Sequence, residues 1–261
     1  MSMCRLAAYI GPEISLGHFL LRPTHGLVEQ SWAPREMKES RLNADGYGVG
    51  WLAKDNLPAK ITSTMPIWSD TNLESLGRSI FSNLWVGNVR SATPGLITSQ
   101  VNTQPFLDNE FLFLHNGLIS NFGHTLRPRI RQILSPKIEV GIQGNTDSEY
   151  LFALLRHILD SDMDMPIDEG FAHLFRTVEQ WLAGQRALLN MILTDGERIF
   201  AVRHAISDDC PSLYFTTDDD DYPDGLLVAS EPLTDSKFWQ PVPEHHLLIL
   251  DPLQPPELLA L

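Results

Sequence analysis

Cysteine is nearly absent: Cys4 and Cys210 are the two in 261 residues. Two cysteines cannot build a disulfide framework, and in a reducing compartment they are expected to stay unbridged. Neither sits in a CxxC spacing, and no HExxH is present, so no metal site is expected from the motifs. Basic charge is also scarce. Lys and Arg number 19 against 33 Asp and Glu, a formal charge of -14. That excludes the cationic surface nucleic acid requires and mainly promises solubility. Long apolar runs are missing too, and nothing approaches the roughly 20 residues of a membrane span. The N-terminus lacks the basic region, apolar core and cleavage site of a secretory signal, which makes the cytoplasm the expected location. Internal repeats and Pro- or Ser-rich linkers are lacking, so one domain is expected.

What is present is strand and helix signal in a particular order. Cys4–Ile10 is a short apolar run stopped by Gly11-Pro12, and it predicts a buried first strand. "DGYGVGWL" (Asp45–Leu52) alternates small and large residues, as a strand does where another backbone or a ligand comes close. "LWVGNVRSAT" reads as a strand ending in polar residues at Arg90–Thr93. "EFLFLHNG" reads as a strand running into a His-Asn-Gly turn. Thr146 and Glu149 have capping-box spacing, and Tyr150, Leu151, Leu154, Leu155 and Ile158 follow at helical intervals. A second helix is expected from about Asp168 to Ala183, with Gly184 as its stop. The remainder predicts strands: a hairpin about Asp195-Gly196, then "SLYFTT", "GLLVASE" and "HHLLIL". His245 and His246 fall in the last of these, where neighbours should face opposite ways, as surface or core histidines rather than two ligands. Asp218–Gly225 lacks the spaced pattern of a calcium loop and reads as a solvated loop. Strands, two helices and strands again do not alternate as a parallel sheet requires, so the expected class is α+β with antiparallel sheets.

Four places can carry chemistry, each at an expected strand end or helix start. A cysteine thiol is only a few per cent thiolate at neutral pH and needs a base. If Cys4 is the N-terminal residue, its own α-amine, with a pKa of about 7.7–8.0, supplies one. Arg90 offers a planar fork for a carboxylate. Asp147, at the first helical position, should stay ionised at the positive helix end and can hold an ammonium group. Asn116 offers a side-chain N–H₂ and Gly117 an approachable backbone N–H, together a possible oxyanion hole. A carboxylate clamp beside an ammonium clamp is what an amino acid head group asks for. Taken singly, each residue also has an ordinary role: ion-pair arginine, turn, helix-start carboxylate, small buried hydrophobe.

As a set, Cys4, Arg90 with Thr93, Asn116-Gly117 and the "TDSE" around Asp147, in that order and with "NTQPF" (Asn102–Phe106) between, resemble the class II glutamine amidotransferases, a family of N-terminal-nucleophile hydrolases. The resemblance covers most of residues 4–160 and extends loosely to "VASEPL". It implies a four-layer αββα sandwich of two antiparallel sheets, one domain over residues 4–261, and no metal or organic cofactor. It also implies roles: Cys4 as nucleophile, Asn116 and Gly117 as oxyanion hole, Arg90 with Thr93 on the glutamyl α-carboxylate, and Asp147 on its α-ammonium. "CRLAAYIG", "NADGYGVGW", "MPIWSD", "VRSATPG" and "ASEPL" further resemble the stand-alone amidohydrolases of ergothioneine biosynthesis. Those enzymes remove glutamate from γ-glutamyl-hercynylcysteine sulfoxide. A bulky cationic leaving group would suit Tyr47, Trp51 or Trp68.

Three functions are therefore open: a γ-glutamyl amide hydrolase, a glutaminase-type subunit supplying ammonia to a separate synthase, and a catalytically silent binding member of the fold. The expected partner is a small-molecule γ-glutamyl substrate, with no nucleic acid or membrane; the oligomeric state is not indicated. The "MSM" before Cys4 favours the last unless those residues are a leader or lie ahead of the true start. The expectation is an active chain beginning at Cys4.

Overall fold

The computed structural model describes residues 4–37, 42–91 and 98–261. Thr93 lies outside the described residues. The chain begins with β1 (Arg5–Ser15), α1 (Leu16–Leu20) and α2 (Leu27–Gln30), then β2 (Tyr47–Leu52), β3 (Pro58–Ser63), α3 (Leu73–Ser79) and β4 (Phe81–Val89). There follow β5 (Phe106–Leu107), β6 (Leu112–Ile119), α4 (Leu126–Ile133), α5 (Pro136–Glu139), α6 (Asp147–Ser161) and α7 (Ile167–Leu182). Strands complete it: β7 (Ala187–Thr194), β8 (Ile199–Arg203), β9 (Ala205–Ile206), β10 (Tyr214–Thr216), β11 (Leu226–Ala229), β12 (Gln240–Pro241), β13 (His246–Leu250) and β14 (Glu257–Ala260).

The strands form two antiparallel sheets. The first has the order β12-β10-β11-β1-β4-β2-β3, the second β14-β13-β8-β7-β6-β5 with β9 against β7. Side-chain alternation sorts the buried residues into three layers. On β1, Leu6, Ala8 and Ile10 face the second sheet, where they meet Leu84 and Val86 of β4, Leu112 and Leu114 of β6 and Ile192 of β7. The residues between them, Ala7, Tyr9 and Trp85, face outward onto α1 and α2. Phe113, Leu189, Met191 and Leu193 face the other way, onto α4, α6 and α7. The result is helices, sheet, sheet, helices: an α+β four-layer sandwich.

Several local expectations are met in detail. Thr146 caps α6, its Oγ1 accepting the Glu149 N–H at 3.2 Å. The carboxylate of Glu149 does not close the box; it accepts N–H bonds from Gln143 at 2.7 Å and Gly144 at 2.8 Å instead. Gly48 does stand where another backbone comes close, since a Cβ there would lie 1.9 Å from the Gln104 carbonyl oxygen.

Others are corrected. Gly11-Pro12 does not end β1; the strand runs on to Ser15 through a register shift between Ile10 and Ile14, and such an irregularity accommodates a residue without an N–H. The helical stop falls on Ala183, left-handed at φ 49°, as well as on Gly184. Asp219 is not solvated but buried, accepting the Thr234 hydroxyl at 2.5 Å. His245 lies outside β13 with φ 59°, so the histidine pair does not alternate across a strand.

Candidate active site

The alternation that builds the inter-sheet core also aims the polar residues at one end of it. Leu84 and Val86 face the second sheet, so Asn88 and Arg90 continue that row. Leu6 does the same for Cys4, and Leu112 and Leu114 for Asn116. Strands β1 and β4 pack across the layer onto β6. By this alternation Cys4, Asn88, Arg90 and Asn116 fall on the rows that face the other sheet, beyond the aliphatic residues.

Cys4 is next to Arg90 by register, since Arg5 pairs with Val89. Its thiol lies 4.0 Å from the Ser91 carbonyl oxygen. Burial pushes the Cys4 thiol above its ordinary value, and the Ser91 backbone, Arg90, Asn88 and Arg5 offset this only in part. A thiol so held stays protonated at neutral pH unless a base removes the proton. Arg90 is buried, and its Nη1 has no hydrogen-bond partner among the described residues. The same is true of both Nδ2 and Oδ1 of Asn116, which is fully buried. Leaving such groups unpaired costs about 1–3 kcal/mol each, so native proteins rarely do so without a use for them.

Asn116-Gly117 is not a turn. Both residues lie inside β6, paired with Asn190 and Leu189 of β7. Glycine is needed at 117 because a Cβ would come within 1.8 Å of the Leu188 carbonyl oxygen and 2.5 Å of the His115 ring. Asp147 is brought to the same strand: its Oδ2 accepts the Ile119 N–H at 2.9 Å and its Oδ1 the Ser148 N–H at 2.8 Å. Gln104, from "NTQPF", ties the two pieces together. It exchanges hydrogen bonds with the His115 backbone, at 2.6 Å and 2.8 Å, and donates to Ser148 Oγ at 3.4 Å. His115 Nε2 lies 3.0 Å from the Leu188 carbonyl, so this nitrogen carries the hydrogen and Nδ1 accepts from Ser148 Oγ at 2.9 Å. Burial lowers the His115 pKa, with Asp147 and the Leu188 carbonyl opposing, and the ring stays neutral.

A network outside the expected set holds β1 from its other face. Glu231, in "ASEP", is buried with its Oε1 3.0 Å from Arg5 Nε and its Oε2 2.8 Å from His25 Nε2. It also accepts the N–H groups of Arg35 and Glu36, at 2.8 Å and 3.1 Å. Burial alone would raise the Glu231 pKa, but His25, these N–H groups and Arg5 outweigh it and hold it down. Asn88 and Asn190 were open to discovery as polar residues on apolar strand faces, whereas nothing local marks Glu231 as the partner of Arg5 and His25. The aromatic suggestions fare differently. Tyr47 is buried on the outer face, bonded to Asp70 at 2.7 Å, and Trp51 leans on Trp85 there. Trp68 is exposed beside Trp32. A separate cleft of about 760 Å³, lined by Lys60, Gln100, Phe106, Glu149 and Arg156 among others, includes none of Cys4, Arg90, Asn116 or Asp147.

The chain and its layered sandwich of two antiparallel sheets are matched by known proteins. The family model described as class-II glutamine amidotransferases matches residues 27–210. The chain belongs to that family. It is 30% identical, over 94% of its length and 92% of the relative's, to the gamma-glutamyl-hercynylcysteine sulfoxide hydrolase of Mycobacterium tuberculosis. It is 31% identical, over 95% of its length and 82% of the relative's, to the probable glutamine amidotransferase DUG3 of Saccharomyces cerevisiae. The fold is that of a glutamine aminotransferase class-II domain protein from Silicibacter pomeroyi, with a TM-score of 0.72, 22% identity and coverage of 98% and 99% of the two chains. No helix among the described residues is long and apolar enough to cross a membrane.

Proposed function

We propose that the protein is an N-terminal-cysteine amidohydrolase that cleaves a γ-glutamyl amide, with γ-glutamyl-hercynylcysteine sulfoxide as substrate. One observation carries the reading. The Cys4 thiol lies beside Arg90, and Arg90 and Asn116 both keep buried donors without a partner among the described residues. In the active chain Cys4 is the first residue, and its α-amine accepts the thiol proton. The thiolate attacks the γ-carbonyl carbon, and Asn116 Nδ2 with the Gly117 N–H holds the oxyanion that forms. The protonated amine returns its proton to the leaving nitrogen, the C–N bond breaks, and a thioester remains. Water, deprotonated by the same amine, attacks the thioester and releases glutamate with the thiol restored. Arg90, with Thr93, holds the α-carboxylate and Asp147 the α-ammonium. The site uses one domain over residues 4–261, works in the cytoplasm and needs no cofactor.

The likeness to a probable amidotransferase supports a second reading, a glutaminase that passes ammonia to a separate synthase. Incubation with glutamine and, separately, with the γ-glutamyl sulfoxide distinguishes the two. Turnover of the sulfoxide with slow glutamine hydrolysis is expected. Rapid glutamine turnover with none of the sulfoxide would transfer support to the second reading, and activity on neither would leave a binding role.

A further inference from the structure

A second cluster of reactive side chains lies away from this site, where the segment between β9 and β10 meets the start of β13. Cys210, Glu244 and His245 each bring a ligand atom within 4.8 Å of the others. His245 Nδ1 is 4.0 Å from Cys210 Sγ and 3.0 Å from His204 Nδ1. In tetrahedral zinc coordination the sulfur–nitrogen edge is about 3.5 Å and the nitrogen–nitrogen edge about 3.3 Å. The sulfur of Cys210 and the ring nitrogen of His245 thus stand within about half an ångström of the spacing one ion needs, with a Glu244 oxygen in the same cluster.

The backbone is built to present them. His245 holds a left-handed φ of 59°, which a β-carbon residue adopts only when something fixes it. Its N–H bonds the Arg203 carbonyl at 2.7 Å, and its own carbonyl takes the Leu261 N–H at 2.9 Å. That turn makes Nδ1 of His245 face Nδ1 of His204. Glu244 is exposed, and its Oε1 accepts a bond from Arg203 Nη2 at 3.3 Å, which leaves a carboxylate its second oxygen.

We propose that Cys210, Glu244 and His245 bind one zinc-class divalent cation in a structural site, with His204 beside His245 as the neighbour nearest the remaining position. Thiolate, imidazole and carboxylate together favour a borderline-soft ion over calcium or magnesium. On binding, the Cys210 S–H bond is broken, its proton passes to solvent, and no oxidation occurs. The ion would pin the 204–212 segment to the start of β13. That segment already meets the active-site strands: Asn190 donates to the Pro211 and Ser212 carbonyls at 3.2 Å and 3.1 Å, and Asn190 stands opposite Asn116. The ion therefore braces the strand pair behind Asn116 without touching substrate.

The test uses tag-free protein, incubated with zinc, passed through gel filtration and analysed for metal, with a parallel cobalt titration. One zinc per chain is expected, with a thermal midpoint raised by about 5 °C at a hundredfold excess over the dissociation constant. Cobalt should give a thiolate charge-transfer band that persists in Cys4→Ser and vanishes in Cys210→Ser. Because Glu244 and His245 are exposed, His245→Ala reports even if the buried Cys210→Ser fails to fold, and its zinc affinity should fall about tenfold or more. Wild-type protein that retains no zinc, a cobalt band that survives Cys210→Ser, or unchanged affinity in His245→Ala overturns the proposal. None of these readouts depends on the activity proposed above.

Discussion

Glu231 grips Arg5 from 3.0 Å, one residue after Cys4, and both side chains are sealed from solvent. The pair reaches 226 residues along the chain to fix the start of the strand that carries the thiol. Replacing Glu231 by Gln leaves the Arg5 guanidinium buried without its counter-charge. Breaking a buried pair in this way costs on the order of 3–5 kcal/mol. Urea unfolding should show that loss. Acid should mimic it: the folded Glu231 pKa lies below its ordinary value, so its contribution is present above that value and is lost as pH falls through the lower folded one. Glu231→Gln should flatten that part of the stability–pH curve.

Cys4→Ser should fold with an unchanged thermal midpoint and show no measurable turnover. With Cys4 intact, kcat/KM should rise with pH along a limb governed by the α-amine, at about 7.7–8.0. Mass spectrometry of the active protein should find Cys4 first. Full activity with the preceding residues retained would remove the amine from the mechanism.

Asn116→Ala should lower kcat by about 10²–10³, as loss of one oxyanion donor does, with KM little changed. Steady-state kinetics on the accepted substrate checks this. A KM effect with kcat intact would instead assign Asn116 to ground-state binding.

Arg90→Lys keeps the charge and removes the fork, and should raise KM roughly ten- to a hundredfold. Asp147→Asn retains an oxygen for the Ile119 N–H but removes the charge that faces an ammonium group. It should raise KM for the amino-acid head group while leaving stability near wild type. A substrate analogue lacking the α-amine should be indifferent to that change, which competition assays can read directly.

Much of this architecture was legible because its signals are local. Thr146, Glu149 and the apolar positions after them announce α6 from within a dozen residues, and the cap forms as expected. The order of strands and helices excluded a parallel sheet. The errors arise where distant chain overrides local chemistry. Asn-Gly favours a turn in isolation, yet both residues lie in β6 because β7 pairs with the whole of Leu112–Ile119, Asn190 and Leu189 standing opposite them. Gly11-Pro12 reads as a stop, yet β4 continues to pair beyond it as far as Ser15. Of the site, Cys4, Arg90, Asn116 and Asp147 were visible as motif residues, but the Glu231 network was not, since its members are spread from Arg5 to Glu231. The Cys210, Glu244 and His245 cluster was hidden for the same reason, and because one left-handed residue undoes strand alternation.

Strand β1 lies at the middle of its sheet, between β4 and β11. Its first neighbour is complete at Val89, but its second is made only with Leu226–Ala229. On the ribosome, therefore, the segment beginning at Cys4 keeps one open edge until almost nine-tenths of the 261 residues have been synthesised. The strand that carries the thiol is thus among the last parts of its sheet to gain both neighbours.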